Sequence, residues 1–379
     1  MTKFEKALFK GVAIYLGFLG ILSLCGYDFL TMTDPAKEDP FRNGQARYLM
    51  LAAAPLVGWA LARCNPWWAL FWTWSFVLWV FGNWQSYGMF DVVLILCCAV
   101  VGDAIRCFFE PHKVIRTIAY LAVAQAVYGI CQRFGLDPFF QFHGRFANEA
   151  IGTIGHFTLL GNFVALGAVY FFAQSIRYRA NLAGFLVCVA GVYACHSTMA
   201  WLQLAAGVLY VVVRREPVVG GCFALAGVLG LGLAKLLAPG LEFFGFSGRE
   251  VVWPYVIEQW LKSPLVGHGP GSWSGELPTL GIDGTGSDRW YQAHNDFLQV
   301  LPEQGFIGLA IVVLGLAFLF QNARKLPPHY GAFAFSLCVA ACGNFVFHVP
   351  AFGLIGGWLA SLTYHYAKGT PCSPSKQSE

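Results

Sequence analysis

The residues best equipped for chemistry lie late in the chain, in the stretch Ala293-His294-Asn295-Asp296-Phe297-Leu298, and ten residues separate His294 from Gly305. An imidazole changes charge near neutral pH, so a neutral histidine at a polar boundary can take a proton from a hydroxyl. Arg249, in Ser247-Gly248-Arg249-Glu250, offers the complementary chemistry. Its planar guanidinium grips phosphate oxygens as a fork, and a helix N-terminus adds partial positive charge for the same anion. Arg145 and Arg289 are further candidates for that anion-holding role. The bland alternatives are an interfacial structural histidine and surface arginines paired with nearby acids. Gly267, Gly269 and Gly271, with Pro270 among them, form a tight turn. It is either a plain turn or one whose backbone N–H groups face an anion.

Two local geometries fit His294. On a continuous helix, His294, Leu298, Leu301, Gly305 and Gly308 share one face, and the glycines let a neighbouring helix approach beneath the histidine. Alternatively Pro302-Glu303 starts the spanning helix, and 294–301 is a short interfacial turn. Either way the histidine sits at a membrane–water boundary.

These residues must be positioned by membrane helices. Charged residues are 12% of the chain and hydrophobic ones 57%, against about 25% charged in soluble domains. Too little interior exists in a soluble chain of 379 residues to hide that apolar surface. About twelve runs approach the ~20 apolar residues needed to span a bilayer: 8–28, 47–63, 67–84, 89–108, 114–134, 153–175, 181–195, 197–214, 217–238, 295–320, 330–347 and 350–367. They are too long for barrel strands. The first lacks a small-residue cleavage site and reads as a retained helix. The expected fold is therefore all-α and polytopic, a single membrane domain over 1–379.

Short loops carry cations asymmetrically. Arg177/Arg179, Arg214/Arg215 and Arg324/Lys325 fall on one side, which predicts that side, and both termini, to be cytoplasmic. The formal net charge of +4 reflects this topology and gives no reason to expect nucleic acid. The twelve cysteines lie mostly within predicted spans and read as small buried apolar residues. No ligand spacing suggests a metal, and no cofactor is expected.

Segments 29–46, 135–152 and 239–293 are expected outside. The last lies between the ninth and tenth predicted helices, rich in aromatic residues and too long to be a mere connection. It reads as an ordered periplasmic lid. Within it, Glu250–Leu261 has an amphipathic repeat, with Pro254 in its first turn and Pro264 ending it.

Three segments in order resemble the O-antigen ligase and polymerase family: Gly152-Thr153-Ile154-Gly155-His156 through Phe163; Gly248-Arg249 through Trp253 with Pro264-Leu265-Val266-Gly267-His268-Gly269-Pro270-Gly271; and the His294–Gly305 spacing. The resemblance covers roughly 145–310. It implies a metal-independent glycosyltransferase in a bacterial inner membrane. The donor would be a glycan on undecaprenyl pyrophosphate and the acceptor a lipid A-core hydroxyl. His294 would be the base and Arg249 a donor-phosphate ligand. Two departures stand out. The family often carries Ser-Arg-Gly at a mid-chain helix start, where this chain reads His196-Ser197-Thr198-Met199-Ala200, and the ligase pattern within it favours leucine where this chain has Trp253. O-antigen polymerase and pilin-directed oligosaccharide transferase are the neighbouring alternatives. A lipid or solute transporter is the alternative of another class, and it would favour buried polar residues at mid-membrane.

Overall fold

The computed structural model describes residues 66–81, 85–137, 149–222, 224–227, 249–275 and 292–369. Among them the chain is helical, without strands. The helices used below are α1 (Pro66–Phe81), α2 (Gln85–Phe108), α3 (Pro111–Arg133), α4 (Phe157–Ser175), α5 (Asn181–Ala194), α6 (Thr198–Arg215), α7 (Arg249–Lys262), α8 (Ser272–Gly275), α9 (Asp296–Ala323), α10 (Pro328–Ala341) and α11 (Pro350–Ala367). Where the predicted runs fall on described residues they overlap helices, and of the run 217–238 only 217–222 and 224–227 are described. Three of these, α3, α4 and α9, are long and apolar enough by themselves to cross a membrane. The runs 8–28 and 47–63, Arg145, Arg289 and most of the 239–293 segment lie outside the described residues.

Residue chemistry explains the ends. Pro328 and Pro350 each stand at the first helical position, where a missing N–H costs nothing. Ser197 caps α6 by accepting from the Ala200 N–H at 3.2 Å. The predicted run 153–175 begins helically only at Phe157. Gly152 and Gly155 adopt left-handed backbone ahead of it, and His156 caps α4 through Nδ1, which accepts from the Thr158 N–H at 3.2 Å. The run 330–347 likewise stops at Ala341, and the following residues become a connector with one short 3-10 turn, Val346–His348.

α4 is apolar all round and sits at the centre, its Phe163 packed edge-on against Phe352 of α11. Large apolar side chains remain exposed elsewhere, among them Phe76, Leu186, Val313 and Leu314. Such faces need lipid to cover them. α2 and α11 approach so closely that a side chain on Gly357 would overlap the Cys98 carbonyl.

The antiparallel packing sorts charge between the two ends. Arg214 donates to the Arg324 carbonyl at 2.8 Å and Arg215 to the Ala173 carbonyl at 3.1 Å. The same end holds a buried ion pair, Arg106 to Asp103 at 3.0 Å, which Ser361 joins by donating to Asp103. His294, His156, Asp296 and His348 gather at the other end, where α4, α9 and α11 begin.

Candidate functional site

His294 is not on a helix. Asn295 is the N-cap of α9, its side chain accepting from the Leu298 N–H at 3.0 Å, so the continuous-helix reading of 294–308 does not hold. His294 has φ 53°, a left-handed conformation that non-glycine residues seldom adopt. Both neighbours are fixed: Asn295 caps α9, and both backbone polar groups of Ala293 are bonded. The Ala293 N–H donates to Gln299 Oε1 at 2.8 Å, and the Trp253 indole N–H donates to the Ala293 carbonyl at 3.0 Å. Strain at such a residue is characteristic of functional positions.

α9 breaks at Gly305, whose φ of 67° and ψ of −170° are essentially restricted to glycine. Pro302 falls in the short helix before the break and does not begin a new one. The element that approaches Gly305 is the glycine-rich turn, not a helix. Phe306 N–H donates to the Pro264 carbonyl at 2.8 Å, and the His268 and Gly269 N–H groups donate to the Pro302 and Glu303 carbonyls, each at 2.8 Å. Those two N–H groups are spent on protein carbonyls, so the anion-cradle reading of the turn fails for them. Gly269 and Gly271 both have positive φ and serve this docking.

α7 carries Arg249 at its start and buries Val252 and Val256 with Trp273 and Ala293. Pro254 is inside the helix rather than in its first turn. The fold brings Arg249 and His294 together. Burial holds the His294 imidazole well below the ordinary histidine value, at about 3, and the nearby Arg249 and His156 charges push the same way. The amide of Asn344, fully buried near the ring, opposes them. The Phe345 ring meets His294 edge to face, centroids 4.8 Å apart at 88°. His294 is thus a neutral imidazole beside a guanidinium.

Sequence reasoning passed over His156, Asn344, Phe345 and a second cluster just beneath. His348 Nδ1 lies 2.8 Å from Asp296 Oδ1. Gln299 Nε2 reaches Glu303 Oε1 at 3.3 Å and lies 3.3 Å from His348 Nε2. Asp91, Glu303 and His348 each present a ligand atom, all within 4.8 Å of one another, so these three are the described residues able to hold a cation. They come from α2, α9 and the connector, so no sequence spacing announces them. Burial disfavours charge on His348, but Asp91 and Asp296 outweigh it and raise its pKa. The cluster lines one end of a largely apolar cavity of about 200 Å³ among α1, α2, α9, α10 and α11.

The residue at 196 is an exposed histidine in left-handed backbone, so this place supplies no arginine. No curated protein matches the chain. The family model described as O-antigen ligase matches residues 183–313, which include Arg249, the glycine-rich turn, His294 and Gly305. By that match, residues 183–313 are similar to the O-antigen ligase family.

Proposed function

We propose that this protein is an O-antigen ligase. In this reading it is a single multi-pass domain of the bacterial inner membrane, with both termini cytoplasmic. It moves a glycan from undecaprenyl pyrophosphate to a lipid A-core hydroxyl at the periplasmic face. The observation that carries the reading is a strained, neutral imidazole held beside a guanidinium.

The chemistry follows from charge. Pyrophosphate is a good leaving group that needs its negative charge held more than it needs a proton. Arg249 supplies charge-assisted bonds worth about 1.5–3 kcal/mol each. His294 accepts the acceptor hydroxyl's proton as the glycosidic bond forms, a role worth roughly 10²–10⁴ in rate. Arg145 and Arg289 are the proposed sources of a second donor-phosphate contact. The reading routes no step through a metal ion.

Buried Asp296 and Glu303, with half-buried Asp91, are the kind of residues a transporter would use. Asp296 is two residues from His294, however, and its carboxylate is engaged by the connector that packs on His294.

Purified protein in proteoliposomes tests the assignment. His294→Ala should nearly abolish transfer while remaining inserted and folded. Near-normal transfer would remove the base assignment. Ligase and polymerase are separated by a null strain. Loss of a ligase leaves long glycans on the lipid carrier and none on lipid A-core. Single repeat units on lipid A-core would instead identify a polymerase.

A further inference from the structure

The His294 backbone is held on both sides, but a backbone does not orient a ring. The ring's own neighbours, Asn344 and Phe345, belong to the connector between α10 and α11. Asp296 fastens that connector with both carboxylate oxygens. Oδ1 pairs with His348 Nδ1 at 2.8 Å, and Oδ2 accepts from the Phe347 N–H at 3.0 Å. Asp296 is 5% exposed, and α9 already has its cap in Asn295. The carboxylate is therefore not needed to start the helix. Its two bonds run to the segment that touches the histidine two residues before it.

We propose that Asp296 and His348 are positioning residues, locking the 344–348 connector so that Asn344 and Phe345 fix the orientation and tautomer of the His294 ring. Asn344, fully buried and with neither amide atom bonded elsewhere among the described residues, is placed to engage one ring nitrogen and leave the other to face a substrate proton. Orientation matters steeply, because displacements of about 1 Å can cost ~100-fold in rate. This inference rests on His294 being the base.

The test uses the full-length protein in proteoliposomes, with an undecaprenyl pyrophosphate-linked glycan as donor and lipid A-core as acceptor. Asp296→Asn keeps the shape and an acceptor for Phe347 but removes the charge from His348. It should lower kcat by about 10–100-fold, with donor KM within about twofold. In protein labelled with ¹⁵N-histidine, His294 should change from one tautomer to a mixture. Unchanged kcat in Asp296→Asn, alongside an inactive His294→Ala, overturns the positioning role and leaves the base assignment intact. Active His294→Ala overturns both. Should Asp296→Asn lose the folded protein, His348→Gln serves instead, since it leaves the carboxylate and its bond to Phe347 in place. It is expected to show the same kcat loss and tautomer mixing, and a single tautomer with normal kcat overturns the proposal.

Discussion

The indole N–H of Trp253 donates to the backbone carbonyl of Ala293 at 3.0 Å. This bond ties the helix carrying Arg249 to the residue preceding His294. A leucine at this position could not make it, so Trp253 has a structural use. Trp253→Phe should destabilise the protein by about 0.5–1.5 kcal/mol through the lost bond. Trp253→Leu should cost more through lost packing. Both should slow transfer without redirecting it to a different acceptor. Thermal unfolding with product analysis checks this, and a switch from lipid A-core to chain elongation in Trp253→Leu would make Trp253 an acceptor determinant.

Arg249 is expected to act through its fork. Arg249→Ala should lower kcat/KM for the donor by about 10–100-fold, the equivalent of one charge-assisted bond. Arg249→Lys should recover little, because an ammonium lacks the paired geometry. Full recovery by lysine would reduce Arg249 to a point charge.

At Gly305 the backbone conformation admits essentially only glycine, and a Cβ would overlap the Leu265 carbonyl. Gly305→Ala should cost about 1–3 kcal/mol from conformation alone, and more from parting the turn from α9. The matching loss should appear in transfer rate, since His294 hangs from the same frame. Unaltered unfolding would contradict this account of the kink.

The two histidines predict opposite pH responses of stability. His294 has its folded pKa depressed to about 3 from 6.5. Between those values the unfolded chain binds the extra proton, so stability is lost as pH falls from 6.5 toward 3. His348 has its pKa raised above 6.5, so its contribution is complete below 6.5 and is lost as pH rises through the folded value. His294→Gln should flatten the acid side of the melting-temperature profile and His348→Gln the alkaline side. The reverse assignment of limbs would show that the two environments have been misread.

The cation-rich short loops at the end opposite His294 predict the orientation. A reporter fused after Gly275 should be active only if it functions outside the cytoplasm. Activity of a cytoplasm-only reporter there would invert the topology and place the site on the wrong face for a periplasmic acceptor.

Helix positions were legible in the sequence because apolar run length alone specifies them. α3, α4 and α9 fall where the runs predict. The pairing of His294 with Arg249 was legible only through motif resemblance. What escaped was everything set by tertiary contact. Pro302 looked like a helix start, yet the break came three residues later, where the 264–271 turn docks. His348 and Asn344 carry no local signal, because their role comes from a connector folding back over α9. Asp91 lies over 200 residues from its partners in the cluster.

The docking of the glycine-rich turn onto the Gly305 kink makes α7, the turn and the start of α9 one backbone unit. The spacing between guanidinium and imidazole is then built in before any substrate arrives. Under the proposed function such a unit is a cassette, with the proposed base and phosphate ligand held inside it and recognition left to the surrounding walls. New acceptor preferences can arise by recutting those walls, and substitutions that retarget the enzyme should be found away from the residues that perform the transfer.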